Sequence, residues 1–451
     1  MVFLLALCAM AFGDPEKADS APFRPPNLIL ILADDLGWSD VGFNGRTEWQ
    51  TPAIDRIARE GVILDRFYTN AVVCAPSRAA LLSGRSSIHN GVTRNNQDLP
   101  ASEVTLAEAL RAREYRTALF GKWHQGQPRE NAATPVHPLD QGFDEFFGFL
   151  DATHAWEKFP RELWNGRSRV TVNGYADDLF AERAITFLEA AGERPFFLYL
   201  PFTNNHFSIE APAEEVARHR GSVLEPDPTR PVRATYAAMS TRLDRNVQRV
   251  LDALDRLNLS ARTLVVFTSD HGATFEVGNL GASAALDSNR PFRGQKRTLW
   301  EGGIRVPCAI RWPGRIPPGT RIETPMQMID LYPTFLAAAG SSDSRRCLDG
   351  ANVLNAWQGQ EVIPDRTLFW EWRTEGFDQV AALAGPWKLV ITRGGRPELY
   401  DVVQDPAERR DLAAGHPDRT KEMRQALEAW LQSEERRSDS ANPPVRRPES
   451  R

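Results

Sequence analysis

The chain has 451 residues, 42% hydrophobic and 25% charged, the balance of a globular protein long enough for one large domain and a smaller one. With 54 basic and 59 acidic residues the formal net charge is −5, which leaves no basic surplus for a nucleic-acid partner. No apolar run approaches the roughly 18–20 residues that a transmembrane span requires.

In chain order, Val2–Phe12 is apolar and ends in Ala11-Phe12-Gly13, small residues at signal-peptidase spacing. This predicts a secretory signal over 1–13 rather than a buried first strand, then a polar, Pro-rich linker over 14–26, and a periplasmic or secreted protein. Cys8 leaves with that signal, and Leu7 is too bulky to precede a lipidated cysteine. Leu28–Leu32 is a continuous apolar run, as in a parallel strand buried on both faces. Thr117–Phe120, Pro195–Leu200 and Thr263–Phe267 repeat the pattern. Helical patterns lie between them. Thr51-Pro52 opens one, with Thr51 as N-cap, and Gly61 stops it. Another spans about Ala234 to Leu257, its apolar residues Tyr236, Met239, Leu243, Val247, Val250, Leu254 and Leu257 stepping by three or four. Alternating strands and helices predict an α/β fold with a large, mostly parallel sheet flanked by helices over 27–350. From about Thr367 the texture changes to short strand-like runs and a helix at about Pro417–Gln432, a small α+β C-terminal domain over 351–432. A charged, Pro-containing tail over 433–451 is expected to be disordered. Of the remaining cysteines, Cys308 lies in a strand-like run and Cys347 in a polar loop; a buried free thiol at Cys308 is preferred to a bridge between them.

Ligands of parallel sheets bind outside the carboxyl ends of the strands. Here those ends deliver Asp34 and Asp35, then Lys122 and His124, then Asn205 and His206, then Asp270 and His271. One such end is chance; four together point to a shared site. The Asp34-Asp35 pair alone fits a helix cap as well as a metal site. Asp270 on a second strand tips the balance, because three carboxylates in one apolar cleft repel unless a cation joins them. An oxygen-rich set suits calcium or magnesium. His271 as a fourth ligand is less typical of calcium. Cys74, in V-C-A-P-S-R-A-A-L-L-S-G-R, sits just before a predicted helix opened by Pro76, where free amides favour an anion, and Arg78 lies one turn in. Cysteine there is either small and buried or a thiolate nucleophile. The second reading fits a secreted enzyme poorly.

C-A-P-S-R-A-A-L-L-S-G-R resembles the sulfatase signature Cys-x-Pro-x-Arg, whose cysteine is oxidised to Cα-formylglycine. E-Y-R-T-A-L-F-G-K-W-H, N-L-I-L-I-L-A-D-D-L-G-W-S-D-V-G, Q-G-F-D-E-F-F-G, R-G-Q-K-R-T-L-W-E-G-G-I-R-V-P and E-L-Y-D-V-V-Q-D-P-A-E-R-R-D-L are similar to further sulfatase segments, in the expected order over about 27–430. There are departures: Val72 replaces a small residue, Glu114 stands where Gly is common, and His271 replaces the more usual Asn. S-D-H-G looks like the iduronate- and choline-sulfatase branches.

The resemblance implies an alkaline phosphatase-like fold and hydrolysis of sulfate esters, with a sulfated carbohydrate as the expected substrate. It implies calcium, in preference to magnesium, held by Asp34, Asp35, Asp270, His271 and the formylglycine made from Cys74. One hydroxyl of the hydrated aldehyde, activated by the metal and Arg78, attacks sulfur. The other gives its proton to His124 and expels sulfate. Lys122 steadies the formylglycine and sulfate oxygens; His206 and Lys296 bind sulfate and protonate the leaving oxygen. A formylglycine-generating enzyme is the implied maturation partner. His154 is a candidate for the substrate site, or a surface-loop histidine. Trp156, Phe159 and Trp164 could stack on sugar rings, although ordinary packing accounts for them as well. His89 is read as structural and Trp123 as core. Two other functions compete: a phosphate or phosphonate monoester hydrolase of the same superfamily, and a non-catalytic binder of sulfated glycans with unmodified Cys74.

Overall fold

The computed structural model describes residues 24–126, 136–341, 347–374 and 377–438. The expected signal over 1–13 lies outside them. In chain order the strands are β1 (Asn27–Ala33), β2 (Val62–Leu64), β3 (Phe67–Tyr68), β4 (Arg116–Lys122), β5 (Glu145–Phe149), β6 (Glu162–Asn165), β7 (Ser168–Thr171), β8 (Phe196–Pro201), β9 (Thr263–Ser269), β10 (Cys308–Arg311), β11 (Thr320–Ile322), β12 (Met326–Gln327), β13 (Thr367–Arg373), β14 (Asp378–Ala384), β15 (Trp387–Thr392) and β16 (Glu398–Asp401).

Ten of these strands form one mixed sheet in the order β11-β2-β10-β9-β1-β8-β4-β5-β6-β7. Its centre, β9-β1-β8-β4-β5, is parallel throughout. The four apolar runs of the sequence are its four adjacent middle strands. Their continuous hydrophobicity has a direct cause: β1 is buried along its whole length and feeds two cores. Leu28, Leu30 and Leu32 pack on one face with Ala79 and Leu82 of the helix Cys74–Ser83 and with Phe335 of the helix Leu331–Ala338. Ile29, Ile31 and Ala33 pack on the other with the helices Pro52–Arg59, Ala176–Glu189 and Val232–Arg256.

The long helix buries Tyr236, Met239, Leu243, Val247, Val250 and Leu254, the face its periodicity predicted. Thr51 precedes the helix Pro52–Arg59 as expected but makes no side-chain cap; its Oγ1 instead accepts from Gly42 N and donates to Asp55. Cys308 is a buried free thiol in β10 and Cys347 an exposed one, so no bridge joins them.

The C-terminal strands form an antiparallel sheet, β13-β14-β15-β16. One face, with Trp370, Leu383 and Val390, packs on Val72, Leu299 and Ile304 of the large unit. The other, with Ala382 and Leu389, packs on Met423 and Leu427 of the helix Pro417–Ser438. That helix corrects the expected tail: it runs six residues past Gln432, because Ser433–Ser438 holds no Pro or Gly to stop it. Residues 439–451 lie outside the described residues.

Candidate active site

Each middle strand ends in a group that turns into one buried cluster. Asp34 and Asp35 follow β1, and the Asp34 amide donates to the Asn204 carbonyl beyond β8 at 2.9 Å. The Asp35 amide donates to Asp270 Oδ1 at 3.1 Å, which ties the end of β1 to the end of β9. Cys74 is the first residue of its helix rather than the one before it, with Val73 as N-cap in extended conformation. Its sulfur therefore projects from the helix start into the cluster: Sγ lies 3.6 Å from Asp34 Oδ1 and 3.2 Å from His271 Nε2. Ligand-bearing atoms of Asp34, Cys74, Asp270 and His271 all fall within 4.8 Å of one another, and so do those of Asp34, Asp35, Cys74 and His206.

Basic groups ring these acids. Lys122 Nζ donates to Asp34 Oδ2 at 2.6 Å, and Lys296 Nζ to Asp35 Oδ1 at 2.9 Å while lying 3.6 Å from Cys74 Sγ. Arg78 is wholly buried; it donates to Asp270 Oδ2 through Nε and Nη2 and to the Lys122 carbonyl through Nη1. His271 Nδ1 donates to the Gly272 carbonyl, which leaves Nε2 facing the sulfur. His206 does the same with the Phe207 carbonyl, and its Nε2 stands 3.9 Å from Asp35 Oδ2. His124 is buried beside Cys74, and neither ring nitrogen has a geometrically well-formed hydrogen bond among the described residues.

The electrostatics follow from crowding in a dry pocket. Burial raises the Cys74 thiol, but Lys122, Lys296 and His271 outweigh it and pull its pKa well below the usual range. Burial likewise opposes ionisation of Asp34, and Lys122 and Arg78 overcome it, holding the carboxyl far below normal. Asp270 is pushed up to about 7, chiefly by burial and then by the Asp34 charge. For His271 burial is outweighed by Asp270 and Cys74, and the ring is raised to about 9. Burial drops His124 to about 4.

His154 donates its backbone amide to Asp151 Oδ1 at 2.8 Å. It opens a short 3-10 turn, His154–Trp156, with its ring edge-on to Phe149 at 4.7 Å. Phe159 packs on Tyr175, and Trp164 lies on the outer hairpin under Arg169. Trp123 is core, with Nε1 donating to the Val136 carbonyl; His89 pairs with Asp349 at 2.7 Å.

Several supporting residues escaped the sequence reading. Thr69 and Ser77 both donate to the Asp270 carbonyl, at 2.7 and 2.5 Å. Lys158, fully buried, donates to the Thr203 carbonyl at 2.7 Å, and Asp177 accepts from the Thr203 and Asn204 amides. A lysine inside the aromatic stretch W-E-K-F-P was the one available signal for Lys158.

A parallel sheet whose strand ends gather three carboxylates, a sulfur and fixed cations defines a hydrolase of tetrahedral-anion esters. Comparison with known proteins narrows this. The sulfatase family profile matches residues 26–341, and that of the N-sulphoglucosamine sulphohydrolase C-terminal region matches 293–437. Steryl-sulfatase of Mus musculus is 31% identical over 92% of this chain and 83% of its own length. N-acetylgalactosamine-6-sulfatase of Canis lupus familiaris is 33% identical over 81% of this chain and 71% of its own. The crystal structure of Ps i-CgsB in complex with k-i-k-neocarrahexaose superposes with a TM-score of 0.81 at 30% identity, covering 90% of this chain and 93% of that one. The chain belongs to the sulfatase family and is a sulfuric ester hydrolase. Its large mixed sheet flanked by helices, with a small antiparallel sheet after it, is the alkaline phosphatase-like fold.

Proposed function

We propose that the protein removes sulfate from a sulfated carbohydrate, using a formylglycine made from Cys74 by a formylglycine-generating enzyme and a calcium ion held by Asp34, Asp35, Asp270 and His271. The observation that carries this reading is the convergence of those four ligands on Cys74, inside a ring of Lys122, Lys296 and Arg78. The donor set fits a cation on physical grounds. Asp270 is pushed up to about 7, by burial and then by neighbouring negative charge, the condition a hard divalent ion relieves. His271, with Nδ1 committed to a carbonyl, keeps Nε2 for that ion.

When present, the ion supplies Lewis acidity to the sulfate oxygens and the hydrated formylglycine supplies the hydroxyl that attacks sulfur. The chain's own side chains do the rest. Lys122 and Lys296 hold fixed positive charge against the sulfate oxygens, in a site too dry to screen it. Arg78, pinned by Asp270 and the Lys122 carbonyl, keeps the start of its helix aligned with the ends of β4 and β9. His124, neutral above about 4 and beside Cys74, accepts the proton released at position 74. His206 and Lys296 border Asp35; His206 delivers the proton to the leaving oxygen, while Lys296, whose charge Asp35 and Cys74 maintain against burial, steadies that oxygen by hydrogen bonding. Catalysis is assigned to the unit 27–350, with 351–432 as its smaller companion and the periplasm or the exterior as its place of work. No helix among the described residues is long and apolar enough to cross a membrane.

Mass spectrometry of the Cys74 peptide from the native host tests the nucleophile; a thiol in every fraction ends the formylglycine mechanism. Turnover of an aryl sulfate against the matching aryl phosphate separates this reading from a phosphoesterase. Lys296→Ala is expected to lose activity about 100- to 1000-fold while keeping its far-UV circular dichroism. Near-full activity would remove Lys296 from the mechanism.

A further inference from the structure

Two walls leave the reacting cluster from the same carboxylate. Asp35 touches His206 on one side and Lys296 on the other. Past His206 the wall is aromatic: the His206 and Phe207 rings lie 4.2 Å apart, and the Phe207 and Trp156 rings 5.1 Å apart. Exposure climbs outward along it, from 4% at His206 to 40% at Trp156. Past Lys296 the wall is ionic: Arg297 pairs with Glu276, both partly exposed. One short loop joins the two walls. Glu276 holds Arg297, and two residues on, Gly278 leaves only 3.1 Å between Phe207 and the place a Cβ would occupy. The surroundings of the cluster are therefore aromatic beyond His206 and charged beyond Lys296.

We propose that the cluster opens to solvent between these two walls, and that this mouth is the leaving-group subsite and takes a neutral pyranose: the C–H face of the ring lies on Trp156 and Phe207, and its hydroxyls face the Glu276–Arg297 pair. The proposal rests on the sulfated-carbohydrate reading above and deepens it. An aryl or polycyclic alcohol would cover the aromatic wall but strip water from the ion pair without replacing its hydrogen bonds. A sugar serves both walls. The charge of Arg297 is already met by Glu276, so the ring it faces is a neutral hexose or hexosamine rather than an acidic sugar. Trp156 is thereby a specificity-determining residue that never touches the sulfate.

The test compares the wild type with W156A and W156F on monosulfated galactose, N-acetylgalactosamine and N-acetylglucosamine, with inorganic sulfate as a competitive inhibitor that fills only the anion pocket. On the best of these substrates W156A should raise KM about fivefold to tenfold and change kcat by less than about twofold. W156F should recover most of the loss, and the Ki of inorganic sulfate should be the same in all three proteins. An unchanged KM in W156A overturns the subsite, and so does a Ki for inorganic sulfate that rises in step with KM. Hydrolysis of 4-nitrophenyl sulfate by the wild type with no turnover of any sugar sulfate defeats the carbohydrate reading itself, a different result from a failed W156A.

Discussion

Asp35, His124 and Glu114 all hold left-handed backbone, with φ of 59°, 56° and 65°. Such a conformation costs a residue with a Cβ roughly 1–2 kcal/mol. At Asp35 and His124 the cost is incurred inside the cluster, where the turn swings each side chain off its strand toward Cys74. Glu114 is exposed at the turn before β4 and has no such return. This is the physical reason glycine is common at that position in the family motif. Glu114→Gly should stabilise the protein by about 0.5–1 kcal/mol once the entropy of the new glycine is counted. A urea midpoint that rises at unchanged m-value would show it; a fall would mean that the Glu114 side chain holds the turn. At this scale the site was largely legible, because Asp34, Asp35, Lys122, His124, Asp270 and His271 sit where apolar runs end. Thr69 and Ser77 were not, because a hydroxyl aimed at a distant carbonyl leaves no mark in its own neighbourhood.

Among the elements, the segment after β8 shows how one loop is fixed for chemistry. Asp177, at the start of the helix Ala176–Glu189, accepts from the Thr203 amide and hydroxyl at 2.9 and 2.8 Å and from the Asn204 amide at 3.1 Å. Lys158 holds the Thr203 carbonyl from another strand connection, and Asn204 in turn accepts the Asp34 amide. Burial, which costs the charged form most, lowers Lys158 to about 8, although Asp177 and Asp34 pull it up. The scaffold thus fixes the segment before His206 at its backbone and also through the side chains of Asn204, bonded to Tyr175 and the Met239 carbonyl, and Asn205, bonded to Ser240. Asp177→Ala should destabilise the fold by about 3 kcal/mol, since it strips two buried amides and a hydroxyl of a charged acceptor. Chemical denaturation measures this, and a loss under 1 kcal/mol would show that water replaces the carboxylate without penalty. Strand and helix types were readable from their periods. The pairing of Asp177 with a loop 26 residues away was not, because it depends on how the helix lies across the sheet.

For the whole molecule, the joint between the two sheets is built on buried charge. Lys388 of β15 lies 2.9 Å from both Glu301 and Glu408, and Tyr68 of β3 donates to Glu301 at 3.0 Å. One ammonium serves two carboxylates. Glu301, which Arg305 also meets, is held below its ordinary pKa; burial and then the Glu301 charge, against Lys388, push Glu408 up to about 7. The sign follows: a carboxyl raised on folding contributes stability below its unfolded value near 4.5 that is lost as pH rises through about 7. The melting temperature of the wild type relative to Glu408→Gln should therefore fall between about pH 4.5 and 7 and level off above. A difference independent of pH would show that Glu408 stays ionised throughout.

The amino-acid sequence by itself determined the elements and the kind of chemistry. A strand buried on both faces must be apolar throughout, and ionisable groups crowded at its end are visible as a break in that pattern. It also placed Cys74 at a helix start, one residue from where the structure puts it. Only the tertiary structure decided which strand ends meet, that the helix Pro417–Ser438 runs past the expected boundary, and that Trp156 rather than Trp164 packs on the Phe207 ring beside His206. These outcomes depend on contacts between residues far apart in the chain, whose energies arise only when the sheet order brings them together.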